Sequence, residues 1–401
     1  MNGSSQEALK SLQDLANNRK FQNFVSQAYS RSVLRQLRAN PRDWPSYANT
    51  LDSDLHYTAF FLSWQGLILK ESEAYKVEAD NYIKEGAQIL EFLYATALKE
   101  NVERIEQIFN SALGYYISGY YARAFVLMKD LESENSLPQE FEVLKKLFLK
   151  DIRGMRSLIS SVLFSQEYFD STLASGLRDK ILTEPDVFER IFRATLNKAL
   201  SYFIEFPKNG YEKLLRQAIF FIEHGIELAS KLRYVDWWWL FLALKYLFNE
   251  YKENSLWRNL APLISDDASG ELIVPYIRNN LKKRIPLLEL WRSQIEALPK
   301  INDPDRKSYI LKMPTSSGKT KIAELAILRA LLDDKESKCI YLAPYRALAV
   351  EIERELRESF RGLGIMVSEI YGGFDLSAVE RHLIEKSKVL IATPEKMDAF
   401  I

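Results

Sequence analysis

The chain has 401 residues, with 54 basic and 54 acidic side chains that leave its formal net charge at zero. That balance excludes a global electrostatic pull toward nucleic acid or an anionic membrane, so any such surface must be local. With 47% apolar and 27% charged residues, the composition is that of an ordinary globular protein, and the length suggests roughly two or three domains.

The N-terminus, Met1-Asn2-Gly3-Ser4-Ser5, has neither a basic n-region nor an apolar h-region. It does not read as a secretory signal, and a cytoplasmic protein is expected. Helical spacing of apolar residues then recurs over Glu7–Leu15, Phe21–Leu37, Leu55–Leu69, Ala74–Ala97, Phe141–Ile159 and Val187–Phe203. Leu214, Ala218, Phe221, Gly225 and Leu228 fall on one further helical face. Pro41, Pro45, Pro138, Pro185, Pro207, Pro262 and Pro275 are expected to mark breaks between helices. Small residues in Ala112-Leu113-Gly114-Tyr115-Tyr116 and Gly119-Tyr120-Tyr121-Ala122 suggest a single helical hairpin with a close helix contact rather than a repeat array.

Trp237-Trp238-Trp239 opens the most apolar stretch, which reaches Phe248 and is interrupted by Lys245. It is too short to span a membrane. Three adjacent Trp point in different directions around a helix. A helix buried between neighbours accounts for them; a base-stacking platform is the sharper alternative. The basic residues Arg278, Lys282, Lys283 and Arg284 read as a solvated linker face. Residues 1–284 are therefore expected to form an all-α accessory or regulatory region, with room for two helical subdomains. A protein partner docking there would be an inference from architecture alone.

The chemistry lies later. Tyr309-Ile310-Leu311 suits a short buried strand, and Lys321–Leu332 reads as a helix. Between them stands Met313-Pro314-Thr315-Ser316-Ser317-Gly318-Lys319-Thr320, a phosphate-binding loop in the strand–loop–helix context that such a loop requires. Gly318 lets the backbone approach phosphates closely, and the amides at the helix start form an anion-binding concavity. Lys319 is the expected contact to the β- and γ-phosphates, and the Thr320 hydroxyl the expected Mg²⁺ ligand. The general pattern has Gly where this chain has Met313. Cys339, the single cysteine, excludes an internal disulfide and lies in an expected buried strand, Cys339–Leu342. His56, His224 and His382 show no ligand spacing.

The Pro-Thr-x-x-Gly-Lys-Thr form resembles motif I of superfamily 2 helicases, and the continuation Lys321-Ile322-Ala323-Glu324-Leu325 resembles the Ski-like branch. Ala343-Pro344-Tyr345-Arg346-Ala347-Leu348-Ala349 resembles motif Ia, and Ala392-Thr393-Pro394-Glu395-Lys396 resembles motif Ib. The resemblance implies that Pro344, Arg346, Thr393 and Pro394 contact the phosphates of a single DNA or RNA strand. A solvated Arg346 and a Thr393 that merely caps a helix are the plainer readings. Leu290-Trp291-Arg292-Ser293-Gln294 resembles the Q motif, which implies that Gln294 meets the adenine edge of ATP; a surface Gln on an amphipathic helix is the alternative. Tyr371-Gly372-Gly373 is a weaker match to a strand-contact loop, and reads equally as a turn.

The resemblance covers residues 285–401 and implies the N-terminal part of a RecA-like P-loop domain, with an incomplete parallel sheet. Its cofactors would be ATP and Mg, bound by Gln294, Thr315, Ser316, Ser317, Gly318, Lys319 and Thr320. The Asp-Glu motif and the second RecA-like domain that such enzymes need for hydrolysis do not occur before Ile401. The expectation is therefore the front of a longer ATP-dependent helicase, with this segment alone inactive, in antiviral defence, repair or RNA processing. The competing expectation is a helical scaffold that carries a non-hydrolysing nucleotide module.

Overall fold

Apolar residues at three- and four-residue spacing favour helices along most of the chain. The computed structural model describes residues 2–96, 103–131, 137–163, 187–303, 305, 308–313, 318–370 and 378–398. The chain divides into two compact units, one of Met1–Glu205 with Tyr211–Glu250, the other of Phe206–Gly210 with Tyr251–Ile401.

In the first unit, helices α1 (Asn2–Ala16), α2 (Arg19–Gln36), α3 (Leu51–Lys70) and α4 (Lys76–Thr96) enclose a core of Leu12, Phe21, Leu55, Ala59, Leu62 and Leu90. Next come α5 (Glu103–Ile117), α6 (Tyr121–Asp130), α7 (Gln139–Phe148), α8 (Ile152–Leu163) and α9 (Val187–Phe203). After α10 (Phe206–Asn209), which belongs to the second unit, follow α11 (Glu212–Leu232) and α12 (Val235–Asn254). Helix α4 packs against α3 and α5, and α9 against α11. Gly114 makes the α4–α5 approach possible: a Cβ there would lie 2.9 Å from the Cβ of Ala87. A buried ionic cluster ties α3, α4 and α12 together. Lys70 Nζ lies 2.6 Å from Asp80, 2.8 Å from Glu250 and 2.9 Å from the Ile117 carbonyl.

Several helix expectations are corrected. Phe141–Ile159 is not one helix: it breaks between α7 and α8, where Lys150 adopts a left-handed φ of 60° and Asp151 accepts from the Gly154 amide at 2.8 Å. No Gly or Pro announces this break; the Asp cap does the work. On α11 the buried face is Leu215, Ala218, Ile222, Gly225 and Ala229, so Leu214, Phe221 and Leu228 flank it. One position of rotation separates the two stripes, and only packing selects between them. The Trp run divides: Trp237 is buried and stacks on Phe192 with centroids 5.4 Å apart, whereas Trp238 and Trp239 are half-buried.

The second unit contains α13 (Leu256–Leu260), α14 (Asp267–Leu281), α15 (Arg292–Ile301), α16 (Lys319–Asp333), β1 (Cys339–Leu342), α17 (Arg346–Ser359), β2 (Val367–Ile370), α18 (Ala378–Lys386), β3 (Val389–Ala392) and α19 (Pro394–Asp398). Pro275 breaks no helix; it lies inside α14, whose ends are set instead by the Asp266 cap and by Lys282. The strands form a parallel sheet in the order β1-β3-β2, with Leu342 and Ile370 both in register with Ala392. All four residues of β3 are buried, as a central strand with helices around it requires. The core joins α14, α16, α17 and the sheet through Ile273, Tyr276, Leu328, Ile352, Val389 and Ile391. The fold is thus a helical region followed by a partial parallel α/β domain.

The strand expected at Tyr309–Leu311 is absent: the segment joins no sheet, and Ile310 is 88% exposed. An apolar run becomes a strand only by pairing, and among the described residues none pairs with it. Leu311 and Met313 pack instead on a small cluster of Ala297, Ile301 and Ile322. Cys339 is likewise half-buried rather than fully in the core; among the described residues β1 pairs with β3 alone. Among the described residues, no helix is long and apolar enough to cross a membrane.

Candidate nucleotide and nucleic-acid site

Gly318 precedes α16 in a left-handed conformation, φ 80°. A Cβ at this position would lie 2.0 Å from Nε2 of Gln294, so only glycine admits the close approach. Gln294 is buried, and both ends of its amide are engaged: Nε2 donates to the Gly318 carbonyl at 3.2 Å, and Oε1 accepts from the Trp291 amide at 2.8 Å. The structure therefore brings Gln294 onto Gly318, the residue that precedes α16. Lys319 is exposed at the first position of α16, and its Nζ donates to the Met313 carbonyl at 3.0 Å, six residues back. Thr320 follows it, half-buried. Thr315, Ser316 and Ser317 lie outside the described residues, as does Tyr371-Gly372-Gly373.

These groups suit a polyphosphate. The first amides of α16 have no intrahelical acceptor, the helix dipole favours an anion there, and Lys319 adds a charge. The Thr320 hydroxyl is a hard oxygen donor of the kind Mg²⁺ takes.

A buried network anchors the helix that carries these residues. Glu324, 1% exposed, accepts from Tyr276 Oη at 2.6 Å and from Lys321 Nζ at 2.6 Å, and Lys321 also donates to Asn280 Oδ1 at 3.1 Å. It ties α16 to α14. Burial pushes the Glu324 carboxyl up, but the charges of Lys321 and Lys283 and the hydrogen bonds from Lys321 and Tyr276 outweigh it and hold the group below the usual carboxylate range. Burial likewise lowers Lys321, against the pull of Glu324. Burial first and Glu324 second push the Tyr276 phenol well up. Sequence reading registers Glu324 only as part of a motif; the available signal is a charge between Ile322 and Leu325, both buried.

Two loops leave the carboxyl ends of neighbouring parallel strands. The amide of Ala343, after β1, donates to the carbonyl of Ala392, the last residue of β3, at 2.9 Å. Pro344 and Arg346 thus stand beside Thr393 and Pro394, where open α/β sheets place their ligands. Pro344, Arg346 and Pro394 are exposed, and Arg346 is the first residue of α17. Thr393 is 8% exposed and its carbonyl receives the Met397 amide at 3.0 Å, so it begins α19. Lys396, buried one turn on, pairs with Glu380 at 3.0 Å and so links α19 to α18; the sequence reading did not single it out.

Residues 291–401 match the DEAD/DEAH box helicase family. The chain is 32% identical to Hachiman protein HamB of Bacillus cereus over 391 residues, which is 96% of this chain and 33% of that protein. It is 34% identical over 132 residues to ATP-dependent DNA helicase Hel308 of Pyrococcus abyssi, or 33% of this chain and 18% of the relative. It is 36% identical over 116 residues to ATP-dependent DNA helicase MER3 of Saccharomyces cerevisiae, or 27% and 9%. The chain spans about a third of the length of HamB and less of the other two. The glycine-opened helix start, the parallel sheet and this match together mark residues 291–401 as a segment similar to the DEAD/DEAH box helicases of superfamily 2.

Proposed function

We propose that this chain is the N-terminal portion of an ATP-dependent DNA or RNA helicase or translocase of the Ski-like branch, acting in the cytoplasm in antiviral defence or repair. ATP and Mg²⁺ would be held by Gln294 and Thr315 to Thr320, with Lys319 on the β- and γ-phosphates and Thr320 on the metal. The metal would neutralise charge on the phosphates; the chain's own residues bind and orient them. Pro344, Arg346, Thr393 and Pro394 would hold the phosphates of one strand, which positions it without reading its sequence. The helical region would serve a protein partner. The observation that carries the reading is the pairing of a glycine-opened helix start at Gly318 with two adjacent loops at the carboxyl edge of a parallel sheet. The likeness to HamB, which runs through both the helical region and the helicase segment, supports a shared arrangement.

The test is equilibrium binding of a fluorescent ATP analogue and of a single-stranded oligonucleotide over a salt series. Lys319→Ala should lose nucleotide binding, and Arg346→Ala should flatten the salt dependence of strand binding by about one phosphate contact. Unchanged ATP affinity in Lys319→Ala would overturn the loop assignment. Strand binding that is absent even at low salt would favour a scaffold carrying a nucleotide module.

A further inference from the structure

The helical unit contains a cavity of about 600 Å³ that the helicase reading does not use. One wall is a stripe on α3, where Tyr57, Phe60, Phe61 and Trp64 repeat at helical spacing. The opposite wall is the Trp run of α12. The rings meet nearly edge to face: Trp64 and Trp238 with centroids 5.6 Å apart at 67°, Phe60 and Trp239 with centroids 5.3 Å apart at 78°. Steeply inclined rings offer electron-rich faces in more than one direction, which suits a cation better than a flat aromatic ligand.

Among the described residues, the acidic and basic side chains that line the cavity have one sign. Glu106, Glu140, Glu189 and Asp236 all contribute to it. Arg193 partly balances two of them, lying 3.0 Å from Glu140 and 3.9 Å from Glu189, while Glu189 also accepts from Trp237 Nε1 at 2.8 Å. His56 lines the cavity too, with a buried Nδ1 that has no hydrogen-bond partner among the described residues. A site that is aromatic and acidic repels phosphate, so it serves neither ATP nor a nucleic-acid backbone.

Two features identify the occupant. The volume exceeds what one side chain fills and lies in the range of a small peptide or drug-sized ligand. The rim is apolar and open: Tyr57 is 75% exposed, Val235 69% and Trp64 48%. Exposed aromatics around a pocket are the composition of protein-binding hot spots, and they need an apolar cover as well as a charge. We infer that this cavity docks a partner polypeptide that lays an arginine against the Trp64–Trp238 pair, toward the carboxylates, with an apolar neighbour covering the rim. The guanidinium would stack on the rings and donate to Asp236.

Tryptophan fluorescence of the full chain, titrated with N-acetyl-Phe-Arg-amide, tests this. The citrulline form, which has the same shape without the charge, and agmatine, which has the charge without the apolar neighbour, serve as comparisons. Saturable quenching by the arginine dipeptide is expected, weakened roughly tenfold, about 1.4 kcal/mol, by citrulline and similarly in Trp64→Leu or Asp236→Asn. Trp64 and Asp236 are both exposed, so these variants should keep the fold, and far-UV circular dichroism checks that they do. Equal binding of the citrulline form would overturn the cation. Agmatine binding as tightly as the dipeptide would replace the polypeptide partner by a small organic cation and overturn the proposal. Absence of saturable quenching, or unchanged quenching in both variants, would also overturn it.

Discussion

Replacing Glu324 by Gln keeps the side chain's shape and removes its charge. Lys321 would then be a buried cation without its counterion, a change that typically costs about 3–5 kcal/mol. The urea midpoint of Glu324→Gln should fall accordingly. The pH dependence has a definite sign. A carboxyl held below its ordinary range stabilises the fold when ionised, so its contribution is present above the unfolded-state value and is lost as pH falls through the folded one. Urea midpoints measured from neutral pH down through the acid carboxylate range should decline more steeply in the wild type than in Glu324→Gln. The opposite order would show that Glu324 is not the ionised partner of Lys321. Gln294 makes a related point. Its position was legible as a donor–acceptor side chain ahead of the loop, but its contact with the Gly318 carbonyl depends on how α15 lies against α16, and no local pattern specifies that.

At the scale of elements, helix ends decide more than helix interiors. Helix α11 ends on Arg233 in a left-handed conformation, φ 61°, with its amide bonded to the Ala229 and Ser230 carbonyls. A side chain there pays a steric penalty that glycine does not. Arg233 is exposed, so Arg233→Gly should stabilise the chain by about 1 kcal/mol, read as a rise in the thermal midpoint. The strands show the reverse dependence. Cys339–Leu342 was legible as a strand between helices, and it pairs with β3. Tyr309–Leu311 has the same local character and pairs with nothing described, because strand formation is settled by the neighbour and not by the run itself.

Across the whole molecule, buried charge marks where distant segments meet. Lys70, Asp80 and Glu250 are nearly inaccessible and come from three helices, the last of them distant in sequence from the other two. Lys70→Met would leave two buried carboxylates facing each other, and should destabilise the helical unit by about 3–5 kcal/mol, seen as an earlier far-UV circular dichroism melt. A melt unchanged within a degree or two would show that the carboxylates relax to water. The helical character of the front region, the glycine-opened start of α16 and the likeness to superfamily 2 helicases were legible in the sequence, because helical periodicity and a short backbone motif are properties of neighbouring residues. Packing between segments settled which strands pair, which face of α11 is buried, that Glu324 is buried against Tyr276, and that Trp238 lies against Trp64 over an acidic cavity. Those outcomes depend on contacts between segments tens to hundreds of residues apart, where many arrangements satisfy the local pattern and only close packing selects one.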